Sequence, residues 1–269
     1  MDTRHNLRTL LGVEDHYVHY CREERNFAAV LYHLLLDEAC LARFLALIGQ
    51  GEANADEVRI YFEYAHLRDL WAEVGKRYGN DRAARNARYR DAIVALLDAP
   101  FLPEVAGDCE AFNRFFIGDR PGAASKTHVQ MPSRWNDDLF EAWESERDRN
   151  FAKRACTLKW AFNAKPDLVL DLGNDRIICI EAKLESRESR YKAGETTMFG
   201  MSQTRLQEYI FRNLLGYQDP TFIMISKGSD GAPEGWRNLT WSAVYGALLA
   251  GEPGRSQTVR DFIDDKRFA

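Results

Sequence analysis

The stretch 168–184, LVLDLGNDRIICIEAKL, constrains the fold more than any other part of the chain. Two apolar runs rich in Val, Ile and Leu flank Gly173, Asn174 and Asp175, residue types that tolerate the positive φ of a tight turn. The pattern predicts a hairpin with strands over 168–172 and 176–184 and a three-residue turn centred on Asn174. In that register Asp167 stands opposite Glu181, with Cβ atoms ~5 Å apart. Strand alternation puts Glu181 and Lys183 on one face with Ile177 and Cys179. The other face, Ile178, Ile180, Ala182 and Leu184, is apolar and requires helices to cover it. Charged side chains are rarely buried unless they are paired or bound to a metal. Asp167, Glu181 and Lys183 at the end of a buried hairpin therefore need a chemical explanation.

The rest of the chain supplies the cover. A helix is expected over 17–48, where Phe27, Val30, Leu31, Leu34 and Leu35 recur on one face. The stretch 49–57, GQGEANADE, is a turn cluster, and helical patterns follow over 57–74 and 81–97. Residues 107–155 show no clean period apart from a charged helix over 139–155. After the hairpin come a helix over 202–216, expected to pack Leu206, Ile210 and Leu214 against the sheet, and a buried strand over 221–227. A final helix runs to Gly251. Helices followed by strand, hairpin, helix and strand read as an α/β core with a mixed sheet.

The 269 residues, 45% of them hydrophobic, suffice for one domain, 1–269. Within it we distinguish a mainly helical part over 17–100, an α/β core over 156–230 and a C-terminal helical segment over 237–269. No apolar run approaches the ~20 residues that span a bilayer. The opening MDTRHNLRTLLG lacks the apolar stretch of a secretion signal, so a cytoplasmic protein with no membrane partner is expected. Five cysteines stand singly, without disulfide, zinc or iron–sulfur spacing, and read as buried thiols. No phosphate-binding G-x-x-x-x-G-K loop or H-E-x-x-H pair occurs. The net charge of −5 counts against a diffuse nucleic-acid binder, but the basic residues are clustered.

Two facing carboxylates repel and raise each other's proton affinity, and a divalent cation removes that repulsion. Their hard oxygens suit Mg²⁺ or Mn²⁺, leaving coordination positions for water and phosphate oxygens. Such an ion activates water and neutralises charge at a scissile phosphate. Lys183, two residues from Glu181, is placed to position that water or stabilise developing charge. The competing explanation is a surface hairpin with a weak ion pair, since an E-x-K triplet alone is common.

Pro166-Asp167 before one strand, then Glu181-Ala182-Lys183 at the end of its partner, with a helix following, resembles the PD-(D/E)XK nuclease superfamily. The resemblance covers roughly 158–227 and one helix near the N-terminus. It implies a restriction-endonuclease-like fold, a mixed β-sheet core flanked by helices, here with an N-terminal helical elaboration. It also implies Asp167 and Glu181 as metal ligands, the Ala182 backbone carbonyl as a third, and Lys183 as the catalytic lysine. Many members add a glutamate from the first core helix, for which Glu24 is the candidate ahead of Glu23. Members of the RecB-like branch carry a glutamine on the following helix. Gln203 and Gln207 lie one turn apart there, while Tyr209 is out of phase, so the choice between them stays open.

The substrate implied is DNA, with RNA second, and the cofactor Mg²⁺ or Mn²⁺. Arg187, Arg190 and Lys192 leave the Glu181 strand directly and are candidates to flank a bound backbone. Arg85 and Arg88, with Arg82, Tyr89 and Arg90 nearby, form a second basic stripe fit for phosphates and a stacked base. Trp160, Trp236 and Trp241 receive no chemical role. Compact nucleases of this type are frequent in bacterial defence and mobile-element modules, and that context is implied by analogy alone. The rivals are a nucleic-acid-binding or scaffold protein that keeps the fold without catalysis, and a nuclease that acts only when a partner or a small-molecule signal assembles it. The partners expected besides nucleic acid are a second copy of the chain or another protein.

Overall fold

The computed structural model describes residues 24–98, 107–119, 125–146, 149–183, 190–193, 196–228 and 232–250. Its centre is a five-stranded mixed sheet in the order β1-β2-β3-β6-β7. These strands are β1 Arg59–Phe62, β2 Leu168–Gly173, β3 Arg176–Ala182, β6 Thr221–Ser226 and β7 Arg237–Thr240. β1, β2 and β3 form an antiparallel meander, and β6 and β7 continue it in parallel. A separate hairpin, β4 Arg190–Ala193 with β5 Thr196–Ser202, is inserted after β3.

The hairpin at the centre holds the expected register, Leu168 pairing with Ile180 and Val169 with Cys179. Its turn is tighter than the sequence suggested. Gly173 pairs with Arg176, leaving the two-residue turn Asn174-Asp175, and a bulge between Asp171 and Gly173 absorbs the difference. The cause is backbone sign: φ is 74° at Gly173, 51° at Asn174 and 58° at Asp175. A turn with two positive-φ residues matches strand twist, and a left-handed glycine makes the bulge.

Both faces of the sheet are covered, which explains why β3 is buried from Ile177 to Ala182. Ile178, Ile180 and Ala182, with Leu168, Leu170, Ile223 and Ile225, pack under three helices. These are α1 Glu24–Leu35, α2 Glu38–Leu47 and, near the C-terminus, α9 Trp241–Leu248. The expected single helix over 17–48 is thus two helices within the described residues. The chain breaks at Asp37, whose carboxylate accepts from the Cys40 N–H and caps α2. The opposite face, Val169, Ile177, Cys179, Phe222 and Met224, meets Phe211, Tyr64 and Trp236.

A second core lies in the helical layer between β1 and β2. It is built from α3 His66–Tyr78, α4 Arg82–Leu97, α5 Cys109–Ile117, α6 Asp137–Glu146 and α7 Arg149–Asn163. Phe112, Phe116, Trp135, Phe140, Trp143 and Phe151 fill it. The charged helix expected over 139–155 falls on α6 and α7. The pattern over 57–74 misled: its first part is β1, whose four residues pair with β2 more than a hundred positions away. Likewise the segment expected to be helical from 237 opens with β7, a short parallel edge strand.

The helix expected over 202–216 is α8 Gln203–Tyr209, continued as a π-helix through Ile210–Leu214. Its apolar stripe does not meet the sheet. Leu206 and Ile210 belong to the helical core beside α7, and Phe211 turns to the sheet instead. The reason is that α8 lies between two cores and buries residues on both sides. Among the described residues no helix is long and apolar enough to cross a membrane.

Candidate active site

β3 delivers Glu181 as a side chain 1% exposed, and Lys183 follows just past the strand end at 11%. The Lys183 backbone is held on both sides. Its N–H donates to the Ile225 carbonyl at 2.7 Å, and its carbonyl accepts from the Trp241 indole N–H at 2.9 Å. α7 runs directly into Pro166 and Asp167. The Asp167 Oδ2 accepts from the Ala182 N–H at 2.8 Å, which ties the start of β2 to the end of β3. Asp167 immediately precedes the Leu168–Ile180 pair, and the Ala182 N–H that it accepts from adjoins Glu181.

The Lys183 ammonium donates to Glu181 Oε1 at 2.7 Å and to Gln203 Oε1 at 3.3 Å. The second Glu181 oxygen, Oε2, accepts from the Gln207 amide at 2.6 Å. Gln207 is 1% exposed and its own carbonyl receives the Cys179 thiol at 3.6 Å. One turn of α8, capped by Ser202 through the Arg205 N–H, thus places both glutamines in the cluster with different duties. Gln207 fixes the buried carboxylate from inside, and the half-buried Gln203 holds the lysine head nearer the surface.

Burial, and after it the negative charge of Asp167, push the Glu181 pKa from its usual 4.5 up to about 7, against the pull of Lys183 and Gln207. Burial, with Glu181 and Asp167 adding to it, also raises the Cys179 thiol, which is neutral at physiological pH. The arrangement is a buried anion beside a second carboxylate, offset by one ammonium.

Glu24 opens α1, and its side chain lies outside the described residues. The start of α1 is nonetheless close to the cluster. Phe27 packs on Trp241 at 5.3 Å, and Arg25 pairs at 2.8 Å with Glu63, whose N–H bonds the Asp167 carbonyl. Arg187 lies outside the described residues. Arg190 and Lys192 are on β4 with side chains outside them, although pairing of Arg190 with Ser202 brings that backbone to the cap of α8. Arg85 and Arg88 stand on α4 in the helical layer, and no described hydrogen bond links them to the Glu181 cluster. Tyr89 is not available to stack on a base. It lies 3.8 Å from Trp71 in a parallel stack, and its hydroxyl donates to the Trp71 carbonyl.

Sequence reasoning gave Trp241 and Cys179 no part in this cluster. Trp241 is 58 positions from Lys183, so no local pattern links the two. Cys179 was placed on the Glu181 face by alternation, but its contact with Gln207 depends on how α8 packs.

Among the described residues no group of three or more Asp, Glu, His or Cys side chains is arranged around a cation position. Comparison with family models, with curated proteins and with solved structures returns no match.

Proposed function

We propose that the chain is a divalent-cation-dependent phosphodiesterase, a nuclease acting on DNA in preference to RNA, with a restriction-endonuclease-like core. The observation that carries the reading is the convergence of Asp167, Glu181 and Lys183 at the end of one buried hairpin. An antiparallel meander extended by parallel strands, with helices on both faces, agrees with that core.

The residues fit a hard cation. A carboxylate 1% exposed, raised first by its burial and then by a second carboxylate, is an electrostatic strain that a divalent ion relieves. Asp167, Glu181 and the Ala182 carbonyl would hold Mg²⁺ or Mn²⁺, with Glu24 as a further candidate. Such an ion, when bound, acidifies an attacking water and neutralises charge on the scissile phosphate. Gln207 keeps Glu181 oriented, and Gln203 keeps the Lys183 ammonium at the edge of the cluster. Lys183 then donates to the water or to a phosphate oxygen as negative charge develops. Arg187, Arg190 and Lys192, on the segment that leaves Lys183, are proposed to meet the nucleic-acid backbone.

The test is incubation of the purified protein with supercoiled, linear and single-stranded DNA and with RNA, in Mg²⁺, Mn²⁺ or EDTA. Lys183→Ala is expected to lower cleavage roughly 10²- to 10³-fold while keeping calorimetric Mn²⁺ binding. Asp167→Ala is expected to lose both. Undiminished cleavage in both variants would exclude this site.

One observation favours a second reading. Lys183 and Gln207 already satisfy both Glu181 oxygens, as in a structural polar cluster of a non-catalytic nucleic-acid-binding or scaffold protein. Absence of Mn²⁺ heat together with unfolding of the variants would select it.

A further inference from the structure

Lys183 carries its ammonium on a flexible stem, so its chemistry depends on what holds the residue in place. The ammonium sits 2.7 Å from Glu181 Oε1 and 3.3 Å from Gln203 Oε1. Behind it, the two polar groups of the backbone are fastened differently. The N–H is held by the sheet, through the Ile225 carbonyl of β6. The carbonyl is held by a side chain, the Trp241 indole, at 2.9 Å. β6 lies between β3 and β7, and Trp241 follows the last residue of β7. The indole therefore spans the end of one strand to reach a carbonyl that β3 presents past its own end.

Trp241 is itself fixed from several sides. The Thr240 hydroxyl caps α9 by accepting from the Ala243 N–H. The Trp241 ring lies 5.3 Å from Phe27 and 5.6 Å from Tyr245, nearly parallel to the latter. The Tyr245 hydroxyl donates to the Phe27 carbonyl at 3.0 Å and closes the group. Phe27 stands on α1, one turn after Glu24. One buried indole thus touches the helix that opens with Glu24 and the peptide that carries Lys183. A phenyl or aliphatic side chain would serve the apolar contact as well. What only the indole adds is its N–H, a donor that needs a partner when buried.

We propose that Trp241 is a positioning residue, whose indole N–H fixes the Lys183 peptide and so keeps the ammonium on Glu181 and Gln203. Its consequence for cleavage, though not the positioning itself, rests on the nuclease reading of the site. Without the indole N–H the Lys183 carbonyl loses its donor, and the peptide turns to find another. The ammonium then samples several positions, and small displacements of a group that acts on the transition state lower the rate steeply. Substrate and metal affinity stay as they were, because Trp241 touches neither the Asp167 and Glu181 carboxylates nor the basic segment after β3 by any described contact.

The test separates the N–H from the ring. In one protein Trp241 is replaced by benzothienylalanine, which keeps the shape and lacks the N–H. In a second, Trp241→Phe lacks the N–H and leaves a void as well. Lysine ammonium NMR of the full metal-free chain reads the positioning directly, with the Lys183 signal assigned by Lys183→Arg. The Lys183 ammonium should be rigid in the wild type and mobile in both replacements, with exposed Lys76 unchanged. In plasmid cleavage both replacements should lower kcat by a similar factor, roughly tenfold, at unchanged KM and unchanged calorimetric Mn²⁺ binding. A purely structural role would instead make the loss follow the melting temperature, which the void in Trp241→Phe lowers further. The proposal is overturned by an ammonium as rigid as in the wild type, by undiminished kcat, by a rate loss confined to Trp241→Phe, or by failure of both replacements to fold. A wild-type chain that cleaves no nucleic acid removes the nuclease reading instead, and the ammonium signal alone then decides the role of Trp241.

Discussion

Raising the pH of the metal-free protein is expected to weaken its fold through one carboxyl group, Glu181. Burial and Asp167 lift its pKa from 4.5 to about 7. A group whose folded pKa lies above its unfolded value binds its proton more tightly in the fold. Stability from Glu181 is therefore complete below about pH 4.5, declines as pH rises, and is lost above about pH 7. The interval of about 2.5 units, at ~1.36 kcal/mol each, amounts to about 3 kcal/mol. In a chain of this length that corresponds to roughly 6–12 °C in melting temperature. Thermal melts in EDTA at a series of pH values from ~4.5 to ~8 measure it, with Glu181→Gln as the reference. Other titrating groups are common to both proteins, so the difference between the two curves isolates Glu181. The wild type should fall relative to the variant as pH rises, and Mn²⁺ at pH ~8 should restore only the wild type. Parallel curves would refute the reasoning, because a carboxylate that ionises without cost is not the strained anion the site requires.

Further expectations concern the scaffold. Asn113, 1% exposed, donates to the Ser125 and His128 carbonyls and accepts from the Gln130 N–H, fixing the loop before α6. Asn113→Ala should therefore cost about 2–4 kcal/mol in urea unfolding, and a loss below ~0.5 kcal/mol would mean that water replaces all three bonds. Gly173→Ala meets no atom within 4 Å but must hold φ at 74°. It should lose ~1–2 kcal/mol by conformational strain alone, visible as a shifted denaturant midpoint at unchanged slope. Phe44→Ala, at a fully buried position under the sheet, should cost about 3–5 kcal/mol. A neutral result there would show that α2 does not pack as described.

The β2–β3 hairpin was legible because its signal is local. Apolar runs of strand length and left-handed-tolerant residues between them specify two strands, and period-two alternation sets Ile178, Ile180 and Ala182 against Ile177, Cys179 and Glu181. The suspicion that Asp167, Glu181 and Lys183 meet followed from the same alternation. Helices α4 and α9 were legible through period and turn residues. What the chain could not announce locally is whatever depends on a partner distant in sequence. β1 and β7 are four residues each, too short to carry a period, and take their conformation from β2 and β6. α8 shows one apolar stripe, yet tertiary packing decided that Leu206 and Ile210 enter the helical core while Gln207 goes inward to Glu181. The same packing buried Tyr89 against Trp71 and brought the Trp241 indole to the Lys183 carbonyl. Hydrophobic periodicity reports which face of an element avoids water. It carries no record of which other element covers that face, because apolar contact is non-directional and only the assembled cores choose the neighbour.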